Sequence, residues 1–183
     1  RTGGVPFGAV REQLEADLGG PVETTFKRFD KKEKGSASIA QVYHAELKDG
    51  TPVVVKVRRP NIKRQVEADL RFIGYMARLA DKEMMDLKLY QPRAMADQFS
   101  RSLEREMDLA QECRHADRAR NYLTDDSLMV IPKVYWDYTS ERVNVQERME
   151  GIAGFNVEGL MQSGGNPVKI ASDGARTVAR MVV

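Results

Sequence analysis

Residues 35–57 read GSASIAQVYHAELKDGTPVVVKV, and this stretch decides the fold. After a loop of glycine, serine and alanine, the segment Ile39–Leu47 alternates well enough to predict a strand. The pair Asp49-Gly50 is a strong hairpin signal, and the valine-rich segment Pro52–Arg58 predicts the returning strand. Lys56 stands among these valines, where a half-buried ammonium group requires an anion. The alternative is that Lys56 faces solvent on an edge strand.

The loop before this hairpin has the spacing of a phosphate loop. The protein-kinase pattern G-x-G-x-x-G-x-V precedes a lysine on the third strand, and it works by presenting backbone N–H groups to a polyphosphate. Two of the three glycines are alanines here, so we expect a stiffer loop, because alanine resists positive φ. The alternative for this stretch alone is an ordinary turn. The predicted nucleotide-binding residues of the loop are Gly35, Ser36, Ala37, Ser38, Ala40 and Val42.

The composition of the 183 residues, 42% hydrophobic and 31% charged, is that of a globular protein with one domain or slightly more. The net charge of +2 gives no strong drive toward nucleic acid, so we expect no such partner. No apolar run approaches the ~20 residues that span a bilayer. The only cysteine is Cys113, and the only histidines are His44 and His115, so we predict no disulfide and no metal site in this chain.

The remaining segments predict helices around a second hairpin. Apolar residues every four positions predict a short helix over residues 8–18, and Thr24–Asp30 is read as the first strand. An apolar stripe from Ile62 to Ala77 predicts another helix. One long helix is predicted over Pro92–Leu123. Its inward-facing residues would be Met95, Phe99, Leu103, Met107, Ala110 and Cys113.

Toward the end of the chain, Val130–Tyr138 and Val143–Met149 predict two further strands, and Ile170–Val183 predicts a helix. The expected fold class is therefore α+β. It combines a protein-kinase-like small lobe, with a five-stranded antiparallel sheet and long inserted helices, and the start of a large lobe. The predicted organisation is a helical extension (1–22), the lobe (23–150), and a linker with the first large-lobe helix (151–183).

The acidic segment that follows Arg105 offers partners for Lys56. Glu106 and Glu112 are six residues apart, so one straight helix cannot aim both at the same lysine. Two acids therefore imply two partners, unless all of them are solvated surface charges. Nearby, His115-Ala116-Asp117 followed by Asn121 imitates a kinase catalytic loop. The spacing from Asp117 to Asn121 is one residue shorter than in a kinase catalytic loop, and the segment continues the apolar stripe of a helix. We therefore predict no catalytic role for it.

These motifs together resemble the UbiB family of atypical, protein-kinase-like proteins, and the similarity extends from about Pro6 to the last residue. The matching segments are GSASIAQV, VVVKV, EMDLAQE, IPKVY and VQERMEG. The resemblance implies that Lys56 and Glu112 form the catalytic ion pair, within ~4 Å of each other. It also implies that Glu106 and Asp108 form a regulatory E-x-D motif.

The segment VQERMEG is similar to a kinase hinge, which makes Gln146 the gatekeeper and assigns adenine to the backbone of Glu147 and Met149. The implied cofactors are ATP or ADP, with Mg²⁺ in the intact protein. The family implies a role in ubiquinone or prenyl-lipid biosynthesis, with prenyl-lipid or quinone precursors and a membrane surface as partners. We accordingly expect a cytoplasmic location, or a peripheral one on the cytoplasmic side of a membrane.

The family's K-x-G-Q helix, catalytic loop and metal-binding motif have no match in this sequence. We therefore read the chain as a piece of a longer protein, expect it to be inactive alone, and expect its exposed apolar surface to allow self-association. One alternative function is a small-molecule kinase of the aminoglycoside-phosphotransferase type. Another is a non-catalytic pseudokinase module that only binds nucleotide or a partner.

Overall fold

The computed structural model describes residues 5–83, 89–123 and 129–182. The strands in these ranges are β1 (Phe26–Phe29), β2 (Gly35–Ser36), β3 (Ala40–Leu47), β4 (Pro52–Arg58) and β5 (Val143–Glu147). The helices are α1 (Phe7–Leu18), α2 (Val22–Thr25), α3 (Ile62–Glu83), α4 (Pro92–Glu106), α5 (Leu109–Tyr122), α6 (Val157–Gln162) and α7 (Pro167–Val182). Two helices precede the sheet, three are inserted between β4 and β5, and two follow β5.

The five strands form one antiparallel sheet in the order β1-β3-β4-β5, with the short β2 paired to the start of β3. The β3–β4 hairpin turns at Gly50, whose φ of 90° is the left-handed conformation that the Asp-Gly signal predicted. The predicted α+β class and five-stranded antiparallel sheet are confirmed. The predicted helix near the end of the chain is also present as α7.

One face of the sheet is closed by the N-terminal helix. Alternation along β3 and β4 turns Tyr43, Val53 and Val55 toward Val10 and Leu14 of α1, and all five side chains are buried in one cluster. The segment predicted as an extension therefore shares the core of the lobe. Burial of this apolar surface is the main stabilising term, and the opposite face of the sheet remains available for a ligand.

The segment Val130–Tyr138, predicted to be a strand, is not one. Val134 alone forms an isolated bridge with β5, and Trp136–Tyr138 forms a 3₁₀ turn. Pro132 interrupts the segment and has no N–H to give to a strand ladder. The fifth strand of the sheet is instead β2, inside the segment predicted to be only a loop. The first strand is also shorter than predicted, because α2 occupies its first two residues.

The single long helix predicted over Pro92–Leu123 is two helices. Between α4 and α5 the chain bends at Met107 and Asp108, and the Asp108 carboxylate accepts a hydrogen bond from the Ala110 N–H at 3.0 Å. An aspartate in this N-cap position starts a new helix. The Leu109 N–H then donates to the Glu141 carbonyl at 3.0 Å, which directs α5 onto the sheet.

The inserted helices α3 and α4 pack on each other and away from the sheet. No residue of α3 is buried, and Ala96 is the buried residue of α4. Met95 and Phe99, predicted to face inward, are 63% and 50% exposed. That prediction was wrong because α4 contacts α3 instead of the core. Met107, Ala110 and Cys113 are buried as predicted. Within the described ranges, no helix has the length and apolar character needed to cross a bilayer.

Candidate functional site

The open face of the sheet carries the predicted lysine at its centre. In the strand register, Val42 on β3 pairs with Lys56 on β4, and Lys56 pairs with Asn144 on β5. Because paired residues in neighbouring strands point to the same face, these three side chains form one row across the sheet. Val54 and Gln146 form the next row on the same face. The lysine therefore lies beside the valine of the loop motif, away from the α1 side.

Lys56 and Glu112 are in direct contact. The Lys56 Nζ donates a hydrogen bond to Glu112 Oε1 at 2.5 Å. The lysine side chain is 24% exposed and the glutamate side chain 52% exposed. Glu112 reaches the lysine because it lies in the first turn of α5, whose position is fixed by Asp108 at its start. The pair is thus accessible from solvent and is held on the open face of the sheet.

A buried arginine supports the start of α5. Arg58, at the end of β4, donates from Nη1 to the Met107 carbonyl at 2.7 Å and to Glu141 Oε1 at 2.9 Å. The hydrogen bond from this guanidinium holds the pKa of Glu141 below its usual value. The lysine strand and the glutamate helix are therefore joined twice, once by Arg58 and once by the Lys56–Glu112 pair.

The two acids of the predicted E-x-D motif do not make the contact with Lys56 that Glu112 makes. Asp108 caps α5 and also accepts a hydrogen bond from Arg114 Nη2 at 2.7 Å. Glu106 is exposed at the last residue of α4. Lys56 pairs with Glu112, and Glu106 lies on the other side of the bend between α4 and α5. A regulatory role for Glu106 and Asp108 stays a prediction.

The loop between β2 and β3 is a tight turn. The Ala37 N–H donates to the Ala40 carbonyl at 2.8 Å, with Ser38 between them at the tip of the turn. None of residues 35–40 has a positive φ, so the alanines sit in a backbone conformation that any L-residue adopts. A Cβ added to Gly35 would lie 3.9 Å from the Val42 Cβ, an ordinary contact. The loop therefore does not depend on glycine for its conformation.

The hinge segment follows β5 as extended chain. Gln146 is half-buried at the end of the strand, and Met149 is exposed. The Glu147 N–H donates to the Lys133 carbonyl at 2.8 Å, and the Arg148 N–H donates to the Pro52 carbonyl at 3.2 Å. The carbonyl of Glu147 is thus the main-chain group that this residue can offer to an adenine amino group.

Two residues near the site were not singled out by the sequence. Asn144 is completely buried in the same row as Lys56, and both polar atoms of its side chain lack a hydrogen-bond partner among the described residues. Arg59 is buried next to the loop and contacts Ser36. The sequence signal for Asn144 was an asparagine within a valine-rich strand. The signal for Arg59 was its position directly after another arginine.

The segment His115–Asp117, which resembles a kinase catalytic loop in sequence, lies within α5. Asp117 Oδ2 accepts a hydrogen bond from the Trp136 indole N–H at 2.6 Å, which ties α5 to the 3₁₀ turn before β5. Cys113, one turn earlier, is buried, and burial raises the pKa of its thiol to about 12. Both side chains thus serve the packing of α5, and the Cys113 thiol is too weakly acidic to act as a nucleophile near neutral pH.

Comparisons with known proteins identify the family of this chain. The ABC1 atypical kinase-like domain matches residues 3–183. The chain is 39% identical over 172 residues to the probable protein kinase UbiB of Vibrio vulnificus, covering 92% of this chain and 32% of that protein. It is 34% identical over 149 residues to the same protein of Pseudomonas aeruginosa, covering 81% and 28%. These matches confirm the resemblance to the UbiB family. The chain spans about a third of the length of these curated relatives.

A solved structure shares the fold. The complex of Rv3197 with erythromycin from Mycobacterium tuberculosis superposes with a TM-score of 0.69 at 25% identity, over 84% of this chain and 38% of that one. The predicted protein-kinase-like fold is thereby confirmed.

Proposed function

Because the chain belongs to the family of ABC1 atypical kinase-like domains, we propose that it is the nucleotide-binding lobe of a UbiB-like kinase or ATPase. The observation that carries the proposal is the Lys56–Glu112 pair, 2.5 Å apart on the open face of the sheet. A kinase lobe uses such a pair to orient the α- and β-phosphates of ATP. The glutamate of the pair comes from α5, the second of the two helices that occupy the segment predicted as one long helix.

The neighbouring groups fit a nucleotide. Val42, in the lysine row, and Val54, in the next row, give the open face an apolar surface suited to a planar base. The carbonyl of Glu147 and the extended chain at Met149 would hold adenine through main-chain hydrogen bonds. The loop at Gly35–Ala40 would lie over the phosphates. ATP and ADP are the ligands that match these groups, and Mg²⁺ would accompany the phosphates in the longer protein.

The names of the relatives support a role for the longer protein. Because those relatives are called UbiB, the proposed reaction belongs to ubiquinone or prenyl-lipid biosynthesis. Prenyl-lipid or quinone precursors and the cytoplasmic surface of a membrane are the proposed partners. The exposed apolar side chains of the α3–α4 hairpin, among them Phe72, Met76 and Phe99, support contact with an apolar partner or self-association.

Catalysis by the 183 residues alone is not proposed. In kinases the Mg²⁺ ligands and the catalytic base lie on segments that follow the hinge, and no such pattern occurs between Met149 and Val183. The His115–Asp117 segment lies within α5 and precedes the hinge in the chain. We therefore propose that this chain binds nucleotide but does not hydrolyse it.

Calorimetric titration of the chain with ATP and ADP, with and without Mg²⁺, tests the proposal. Lys56→Met and Glu112→Gln should weaken binding of both nucleotides. The matched control is Lys82→Met, since Lys82 is an 80% exposed lysine on α3. Nucleotide binding that is equally strong in Lys56→Met would contradict the assignment of the site.

Measurements of ATP hydrolysis and phosphoryl transfer distinguish the alternative functions. ATP hydrolysis by the longer protein that contains this chain, abolished by Lys56→Met, supports a kinase or ATPase. Binding without hydrolysis or phosphoryl transfer supports a pseudokinase module. Transfer to an aminoglycoside supports the small-molecule kinase. Hydrolysis by the 183-residue chain itself, abolished by Asp117→Ala, would place the catalytic centre in α5 and refute the proposal that this chain is inactive.

A further inference from the structure

The segment Ser140–Arg142, directly before β5 and called the β5 turn below, is held by α1. Asp17, the penultimate residue of α1, accepts hydrogen bonds from the Arg142 Nη2 at 3.0 Å and from the Ser140 hydroxyl at 3.2 Å. Only 11% of the Asp17 side chain is exposed. A carboxylate near the C-terminus of a helix is disfavoured by the helix dipole, so Asp17 is stabilised there by its contacts with the β5 turn.

The same turn holds the first residue of α5. The Glu141 carbonyl accepts a hydrogen bond from the Leu109 N–H at 3.0 Å, and the Glu141 carboxylate accepts one from Arg58 Nη1 at 2.9 Å. Arg58 also donates to the Met107 carbonyl at 2.7 Å. It follows Lys56 by two positions on β4, so both side chains lie on the open face of the sheet. The start of α5 is therefore fixed from two directions, by the β5 turn and by the lysine strand.

A second residue of α1 reaches the lysine strand. Gln13 lies one turn before Asp17 on the helix, and its Nε2 donates to the Arg58 carbonyl at 2.5 Å. The Arg58 N–H donates to the Arg142 carbonyl at 2.8 Å, which joins the end of β4 to the β5 turn. Helix α1, the end of β4 and the β5 turn thus form one continuous set of hydrogen bonds. This set ends at the helix that carries Glu112.

We infer that α1 positions Glu112 through the β5 turn, which makes Asp17 and Glu141 positioning residues for the Lys56–Glu112 pair. The inference rests on the proposed function, because the pair acts on the phosphates of the nucleotide. Glu112 is three residues after Leu109, about 4.5 Å along the helix axis, so a displacement of the helix start moves its carboxylate directly. Displacing α1 on the other face of the sheet would accordingly weaken nucleotide binding without any contact with the nucleotide.

Titration with ATP and with adenosine tests the inference on the 183-residue chain. Asp17→Ala removes the acceptor that Ser140 and Arg142 share. We expect the Kd for ATP to rise about threefold to tenfold, the range for residues that act on a site through intervening groups. The Kd for adenosine should stay within about twofold. Arg142→Lys keeps the charge that faces Asp17 and should retain most of the ATP affinity. The control is Glu12→Ala, which removes an exposed acid from the same helix.

A Glu112→Gln background separates positioning from a general loss of structure. If Asp17 acts through the ion pair, Asp17→Ala should weaken ATP binding in the wild type and cause little further loss in Glu112→Gln. Equal losses in the two backgrounds overturn the inference, and so does unchanged ATP affinity in Asp17→Ala. A wild type that binds neither ATP nor adenosine refutes the proposed function itself.

Alkylation of Cys113 reports the position of α5 without a nucleotide. This residue is the only cysteine of the chain, and it is buried directly after Glu112. We expect Asp17→Ala to speed its alkylation about threefold or more, at a rate that low urea concentrations hardly change, because local opening exposes little surface. A rate equal to that of the wild type overturns the inference, and so does a rate that follows global unfolding. If Asp17→Ala does not fold, Glu141→Gln gives the same comparison, because it weakens the contact with Arg58.

Discussion

Neutralising Glu112 is the perturbation that tests the site most directly. Although its Oε1 lies 2.5 Å from the Lys56 Nζ, the Glu112 side chain is 52% exposed. Ion pairs with such exposure contribute about 0.2–1 kcal/mol to folding, because water screens the attraction. We therefore expect Glu112→Gln to lower the free energy of unfolding by less than about 1 kcal/mol. For a chain of this length that is a decrease of at most about 2–4 °C in the unfolding temperature.

Nucleotide affinity should fall more than stability does. Without the carboxylate, the Lys56 ammonium loses the group that holds it on the open face of the sheet, so fewer molecules present it to the phosphates. A charge-assisted hydrogen bond contributes about 1.5–3 kcal/mol, and we expect the Kd for ATP to rise about tenfold or more in Glu112→Gln. Adenosine, which lacks phosphates, should bind the variant and the wild type equally.

A double-mutant cycle measures both effects. Urea unfolding and ATP titration are carried out on Lys56→Met, Glu112→Gln, the double variant and the wild type. Glu104→Gln, an exposed glutamate on α4, is the control for loss of one negative charge. A coupling energy near zero together with unchanged ATP affinity would refute the pair. A coupling above about 3 kcal/mol would show that the pair is desolvated, contrary to its exposure.

Other expectations concern single positions. Ala37→Gly and Ala40→Gly should change the ratio of ATP to ADP affinity, since glycine releases the φ restriction of the loop; superimposable binding curves would contradict this. Asn144→Leu should raise the free energy of unfolding by about 1 kcal/mol, because both buried amide atoms lack partners among the described residues; a lower unfolding temperature would show that the amide is satisfied. The buried Cys113 thiol should resist alkylation at pH 8 until α5 detaches from the sheet. Bound ATP should slow the labelling of Cys113 further, and rapid labelling of the native protein would argue against burial of this residue. Asp117→Ala should destabilise the chain by about 1 kcal/mol in thermal unfolding, through loss of its hydrogen bond from the Trp136 indole; unchanged stability would show that this bond contributes nothing.

The centre of the site was predictable because short-range signals control it. Two-residue alternation fixes which side chains share a face, and the Asp49-Gly50 turn fixes the register of β3 against β4. Together these place Val42 beside Lys56, as the register shows. Glu112 was found by its distance in sequence from a recognisable motif. Periodicity alone could not have selected it from the other acids of that segment.

The bend before α5 was missed although its signal is present. Asp108-Leu109-Ala110-Gln111 has the pattern of a capping box, in which an aspartate begins a helix and a glutamine follows three positions later. The apolar stripe continues through this point, and it favoured a single helix. Capping chemistry decided the outcome, because the Asp108 carboxylate satisfies an N–H of the new helix.

The exposure of α3 and α4 could not be read from the sequence. An apolar stripe predicts a helix and which of its faces is apolar, but it does not identify what that face contacts. Met95 and Phe99 have the spacing of core residues, yet α4 packs beside α3 and leaves both substantially exposed. Only tertiary structure distinguishes a stripe that contacts the sheet from one that contacts another helix.

The consecutive arginines at the end of β4 show where sequence reasoning stops. Arg58 and Arg59 are chemically identical, but the first has a carboxylate partner and the second has none among the described residues. Their different contacts come from tertiary structure, because Arg58 reaches the Met107 carbonyl and the Glu141 carboxylate, whereas Arg59 contacts the Ser36 hydroxyl. Two identical neighbouring residues in the sequence do not reveal which of them will meet a carboxylate.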